Sequence, residues 1–74
     1  MVYPKIEELL SKKKMTVEEL AKEVGTSRST MYYKLNGNSE IGVDMAVRIR
    51  AVLGAEESIE LLFSREDAEK AGAE

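Results

Sequence analysis

Apolar positions along this chain mostly recur every three or four residues, the spacing of helices rather than of strands. That spacing puts apolar side chains on one side of successive helices, at roughly 100° of rotation per residue. Over residues 4–13 the inner face is Ile6, Leu9 and Leu10. Over 17–24 it is Leu20 and Val24, with Ala21 beside them. Over 28–36 only Met31 and Leu35 fall together. A fourth helix over 43–53 carries Val43, Ala46, Ile49, Val52 and Leu53, with Arg48 and Arg50 outside. A fifth over about 56–63 carries Ile59, Leu62 and Phe63. The fold class expected is all-α, with five helices and a core of Ile6, Leu9, Leu20, Ala21, Val24, Met31, Leu35, Ala46, Ile49 and Leu53.

The punctuation between these stretches is explicit. Pro4 suits the first position of a helix, where its missing N–H costs nothing. Lys12, Lys13 and Lys14 complement the negative end of the first helix dipole. Thr16 and Glu19 have capping-box spacing, and Met15 and Leu20 can form a hydrophobic staple around that cap. Gly25 sits where a left-handed residue ends a helix. Ser27 is the expected N-cap of the next one. Gly37 and Gly54 stop the third and fourth helices. The last stretch, SREDAEKAGAE over 64–74, has no large apolar residue and is expected to fray or to extend the fifth helix loosely. One domain over 1–63 and an acidic tail over 64–74 follow.

At 74 residues the core is small, and every apolar face has to be used. The chain has no cysteine and no histidine, so no disulfide, thiolate or histidine-ligated metal site is available. No acidic calcium-binding loop occurs either, and no metal or cofactor is expected. The N-terminal residues do not have the form of a secretory signal, and no run is apolar enough to span a bilayer, so a cytoplasmic protein without membrane contact is expected. Net charge is −3, but it is unevenly spread: residues 1–54 carry +2 and residues 55–74 carry −5. From Gly25 to Ser39 there are two cations, Arg28 and Lys34, and no acid. A modestly positive surface opposite an acidic one is compatible with nucleic-acid binding.

The stretch TVEELAKEVGTSRSTMYYKLNG, from Thr16 to Gly37, concentrates the functional signal. Two short helices joined by a tight glycine turn form a helix-turn-helix unit. Ala21 is small where the second helix must approach, Gly25 follows four positions later, and Met31 six positions after that can lock the two together. The opposite stripe of the second helix holds Arg28, Ser29, Tyr32, Tyr33 and Asn36. Arginine is the commonest specific reader of guanine, through O6 and N7.

LAKEVGTSRSTMYYKLNG resembles the helix-turn-helix core of the phage repressor/Cro family of five-helix DNA-binding domains, and the ending AVLG of the fourth helix is similar too. The resemblance spans roughly residues 3–63. It implies that Arg28, Ser29, Tyr32, Tyr33 and Asn36 stand at base-reading or groove-lining positions. It also implies that Thr16, Ser27 and the loop from Gly37 through Asn38 to Ser39 approach phosphates. Two positions depart from the family pattern. Val17 stands where glutamine is common, and Lys34 where a second apolar lock is common, with Leu35 taking over that lock one residue later.

Several of these side chains have an ordinary structural reading beside the functional one. Asn36 can be the polar end of a helix, Ser29 a neighbour of the cap, and Arg28 a solvated first-turn residue. Tyr32 and Tyr33 are adjacent and cannot both face a core already filled by Met31 and Leu35, so at least one is exposed. The function expected is a sequence-specific, double-stranded DNA-binding transcriptional regulator, a small repressor with residues 28–36 in the major groove. The competing reading is a non-catalytic protein-interaction module, antitoxin- or adaptor-like, that docks through the Tyr32/Tyr33 face. No catalytic constellation is present, so an enzyme is not expected, nor a small-molecule ligand. A weak homodimer formed on DNA is expected through Ile59, Leu62 and Phe63 of the fifth helix, flanked by Glu56, Glu57 and Glu60. The alternative for those three apolar residues is closure of the core over the first and fourth helices.

Overall fold

Four successive turns of the chain solve the same problem in the same way. At each, a helix ends one or two residues before the chain turns through the left-handed region. The structure, a computed structural model, describes residues 1–65. Of the acidic tail expected over 64–74, residues 66–74 lie outside the described residues. The helices are α1 (Pro4–Lys13), α2 (Val17–Val24), α3 (Arg28–Leu35), α4 (Val43–Leu53) and α5 (Ile59–Leu62). No strand occurs among the described residues, and none of these helices is long and apolar enough to cross a membrane.

The four stops are Lys14 (φ 54°), Gly25 (φ 83°), Gly37 (φ 82°) and Gly54 (φ 61°). In each, the next residue's N–H reaches back five positions. Met15 donates to the Leu10 carbonyl at 2.9 Å, Thr26 to Ala21 at 2.9 Å, Asn38 to Tyr33 at 3.1 Å and Ala55 to Arg50 at 3.2 Å. These are Schellman closures, which satisfy carbonyls that the helix end would otherwise leave unpaired. Glycine adopts this conformation without a Cβ clash. Lys14 is the one non-glycine with positive φ among the described residues, and there the clash is present.

The core is built from Ile6, Leu20, Met31, Leu35, Ile49, Leu53 and Leu62, all with essentially no solvent exposure. Ala21, Val24 and Ala46 join them, as their spacing suggests. Leu9 differs from the expectation. It is only half-buried, and Leu10 and Tyr3 take the inner positions of α1. The physical reason is rotational: residues 3, 6 and 10 cluster on one side of a helix, and residue 9 lies well off their centre. Tyr3 meets Phe63 edge-on, with ring centroids 5.6 Å apart and planes at 76°.

Two further expectations are corrected. The helix expected from residue 56 begins only at Ile59, with Ser58 as its N-cap. Arg50 holds the preceding loop, donating from Nε to the Glu57 carbonyl at 2.6 Å and from a terminal nitrogen to the Glu56 carbonyl at 3.5 Å. Those carbonyls are thereby engaged from outside rather than by a helical turn. Val43, expected on the inner face of α4, is 77% exposed. It is the first residue of α4, at the rim of a cleft that Ile59 and Phe63 also line.

Two stability measurements check this description. Lys14→Gly removes the Cβ clash and is expected to stabilise the fold by about 0.5–1 kcal/mol, seen as a higher melting temperature. Ala21→Leu overpacks the α2–α3 contact and is expected to destabilise by about 1–3 kcal/mol; an unchanged melt would mean that α3 does not seat against Ala21.

Candidate nucleic-acid interface

α3 is placed by what precedes it. The Thr16 capping box is complete: the Glu19 N–H donates to Thr16 Oγ1 at 3.1 Å, and the Thr16 N–H donates to Glu19 Oε1 at 2.8 Å. That fixes the start of α2. Gly25 fixes its end, and Arg48 adds a long 3.5 Å hydrogen bond to the Val24 carbonyl. Ser27 then opens α3, its hydroxyl accepting from the Thr30 N–H at 3.1 Å and donating to Thr30 Oγ1 at 2.8 Å. Met31 and Leu35 anchor the inner side of α3, leaving the other side to solvent.

The outward side carries Arg28, Ser29, Thr30, Tyr32 and Tyr33, all exposed. Tyr32 is 42% and Tyr33 57% exposed, so both rings reach solvent, where the sequence demanded only one. The Arg28 guanidinium carbon lies 5.5 Å from the Tyr32 ring centroid, one helical turn away, within cation–π range. No acid occupies the first turn of α3. Its Arg28 and Ser29 N–H groups take no part in the cap hydrogen bonds, as the first N–H groups of a helix generally do not, and they point a partial positive charge outward. Ser29, Thr30, Tyr33, Lys34 and Ser39 line a shallow groove beside the helix.

The loop after α3 is held at both ends. Lys34 Nζ donates to the Glu40 carbonyl at 2.8 Å and to Ser39 Oγ at 3.4 Å. Thus the lysine at the position of the usual second apolar lock acts as a tether for the loop. The Val2 N–H donates to the Leu35 carbonyl at 3.0 Å, so the segment before α1 caps the end of α3. A Cβ on Gly37 would come within 2.8 Å of Arg65 and 3.2 Å of Val2, which shows how closely both ends of the described chain approach this turn.

The expected site residues are therefore brought together unequally. Arg28, Ser29, Tyr32 and Tyr33 share one face. Asn36 is the C-cap of α3 and exposed, and Asn38 is exposed in the adjoining loop. Ser39 is half-buried beside Lys34. Thr16 is exposed, but its hydroxyl and N–H are both engaged by Glu19, whose charge opposes a phosphate at that point. Thr30 went unnoticed in the sequence, although its spacing of three from the Ser27 cap places its hydroxyl beside that cap. Of the expected dimer residues, Leu62 is corrected: it has no exposure and closes the core, so no partner reaches it. Ile59 and Phe63 are half-buried and line a cleft with Ile41, Val43 and Ala46.

The family model of the Cro/C1-type helix-turn-helix DNA-binding domain matches residues 5–50, more than half of the chain. The chain belongs to this family. The matched span contains α2 and α3 whole and runs into α4, so the two helices packed around Gly25 are the helix-turn-helix of a Cro/C1-type domain. The phage repressor/Cro resemblance of the sequence and the all-helical architecture agree with it. No curated protein and no solved structure matches the chain.

The Lys34 tether is open to a direct check. Lys34→Met keeps an aliphatic stem but loses both hydrogen bonds, and is expected to lower stability by about 0.5–1.5 kcal/mol. Amide exchange should quicken in residues 38–41 while the helical circular-dichroism signal is retained.

Proposed function

We propose that this Cro/C1-type domain is a sequence-specific transcriptional regulator, a small repressor, that lays α3 in the major groove of double-stranded DNA. The carrying observation is the outward face of α3: two exposed tyrosines and an arginine, with no acid in its first turn. In a chain of net charge −3, such a face is a local exception, and phosphate repulsion is least there. The base-reading set is Arg28, Ser29, Tyr32, Tyr33 and Asn36. Ser27, Asn38 and Ser39 serve phosphates at the two ends of the helix, where N–H groups and short polar side chains are presented. Thr16 joins them only where its capping box yields to a phosphate.

Selection of bound duplexes from a random DNA pool tests this reading. A consensus, and an affinity that falls steeply with salt, are the expected results. Binding to a protein partner through Tyr32 and Tyr33, insensitive to salt and without an enriched DNA sequence, would replace it. Arg28→Ala is expected to cost about 1–3 kcal/mol on the selected sequence and to relax choice at one base pair. Equal losses on selected and random DNA would assign Arg28 to phosphate instead.

We further propose that two copies bind together, because one short helix reads too few base pairs for useful specificity. Half-sites about 34–36 Å apart are then expected. The surface that supports pairing is the cleft edged by Ile59 and Phe63, together with the exposed Val43 and Val47 of α4, which are 77% and 52% accessible. Acids near this surface, Glu40, Asp44 and Glu60, weaken pairing off DNA. Val47→Glu should leave the fold intact, since the side chain is exposed, and should weaken operator binding several-fold. One protein per selected site, measured by analytical ultracentrifugation of the complex, would end the dimer proposal.

A further inference from the structure

Arg28 is held on one side only. Among the described residues no carboxylate pairs with it: the ion pairs Lys5–Glu8 and Lys12–Glu8 both lie on α1. Arg28 lies instead beside the Tyr32 ring, 5.5 Å from guanidinium carbon to centroid. Tyr32 as a whole is 42% exposed, so contact with Arg28 and with α3 leaves much of the residue uncovered. A long, flexible cation with no ion pair, resting on an aromatic ring, has a restricted set of directions. Here the restriction comes from a residue on the same outward face.

That arrangement has a consequence for base reading. An arginine that engages guanine O6 and N7 through both nitrogens lies close to the plane of the base. A ring whose centroid lies 5.5 Å from that guanidinium carbon then reaches the level of the next base pair, about 3.4 Å along the axis. What faces it there is the major-groove edge of the neighbouring pair. On that edge the one apolar group is the 5-methyl of thymine. A tyrosine ring placed there gains from burying a methyl and gains nothing from the bare C5–H of cytosine.

We propose that Tyr32 is a positioning residue for Arg28, and that the two side chains read a two-base step as a unit: guanine through Arg28 and an adjoining thymine methyl through the Tyr32 ring. This inference rests on the proposed base-reading role of Arg28. Tyr33, which has no cation over its ring among the described residues, is left to act independently.

The test uses the whole chain and duplexes carrying its selected consensus, with each thymine replaced singly by deoxyuridine, which removes only the methyl. The wild-type protein is expected to lose roughly three- to four-fold in affinity at one thymine next to the Arg28-dependent guanine, the equivalent of one buried methyl. Tyr32→Phe keeps the ring and should keep that preference. Tyr32→Ala should abolish it and also weaken guanine discrimination by roughly two- to five-fold, the range of an exposed cation–π contact. Arg28→Ala combined with Tyr32→Ala should lose less than the product of the two single losses. If no uracil substitution beside that guanine matters, or if the single losses multiply, the paired reading is overturned while Arg28 remains a base reader. If Arg28→Ala weakens selected and random duplexes equally, base reading by Arg28 fails, and the pair fails with it.

Discussion

The left-handed turn at Gly25 is the constraint on which the rest of this molecule depends. Only two residues, Thr26 and Ser27, separate that glycine from the first residue of α3. Within them the chain must end one helix, reverse and begin another. The Thr26 N–H closes onto the Ala21 carbonyl at 2.9 Å while Ser27 turns its hydroxyl to the Thr30 N–H. The two caps thus share a few atoms of backbone, and the angle between α2 and α3 has little freedom. Ala21, 1% exposed, and the wholly buried Met31 belong to one core cluster, where α2 and α3 pack together. A larger residue at 21 would push against this contact and shift α3 with its whole outward face, whereas a Cβ at 25 would meet no neighbouring atom and cost only the strain of a positive φ.

Because α3 is only eight residues long, it cannot hold itself in shape. Its two ends are secured from different parts of the chain. The start is held by the turn from α2. The end is held by the Val2 N–H on the Leu35 carbonyl and by Lys34 reaching the loop at Glu40. Neither device engages the side chains of Arg28, Ser29, Tyr32 or Tyr33. Stability and recognition are therefore assigned to different sides of one short helix, and the exposed rings of Tyr32 and Tyr33 can be kept without disturbing the core. Exposing two aromatic rings in so small a fold costs burial that the fold would otherwise gain. That cost is consistent with a surface that is covered by something else when the protein acts.

The arginines divide along similar lines. Arg48 and Arg50 are spent on backbone carbonyls, at Val24 and at Glu56 and Glu57, where they close a helix end and a loop. Arg28 alone of these three rests against a ring on the outward face. Arg28, Arg48 and Arg50 thus do two kinds of work, and the group that each meets rather than its charge separates them.

Local signals carried most of what the sequence determined by itself. The Thr16 box, the Ser27 cap, the left-handed glycines and the Ala21–Gly25–Met31 spacing all act within a few residues, so the sequence states them directly, and the family follows from them. The outward stripe of α3 was legible for the same reason, since an eight-residue helix with only two apolar anchors has one possible inner face. What the tertiary structure decided involves partners far away in the chain. Tyr3 and Leu10 displaced Leu9 from the core because α4 and α5 set which side of α1 is covered. Leu62 went inward, Val43 stayed out, and α5 shortened because Arg50 captured the carbonyls ahead of it. Lys34 became a tether because the loop folded back within its reach. A helix's period tells which residues share a side, but the neighbours that pack against the helix determine how wide that side is and where its edge falls.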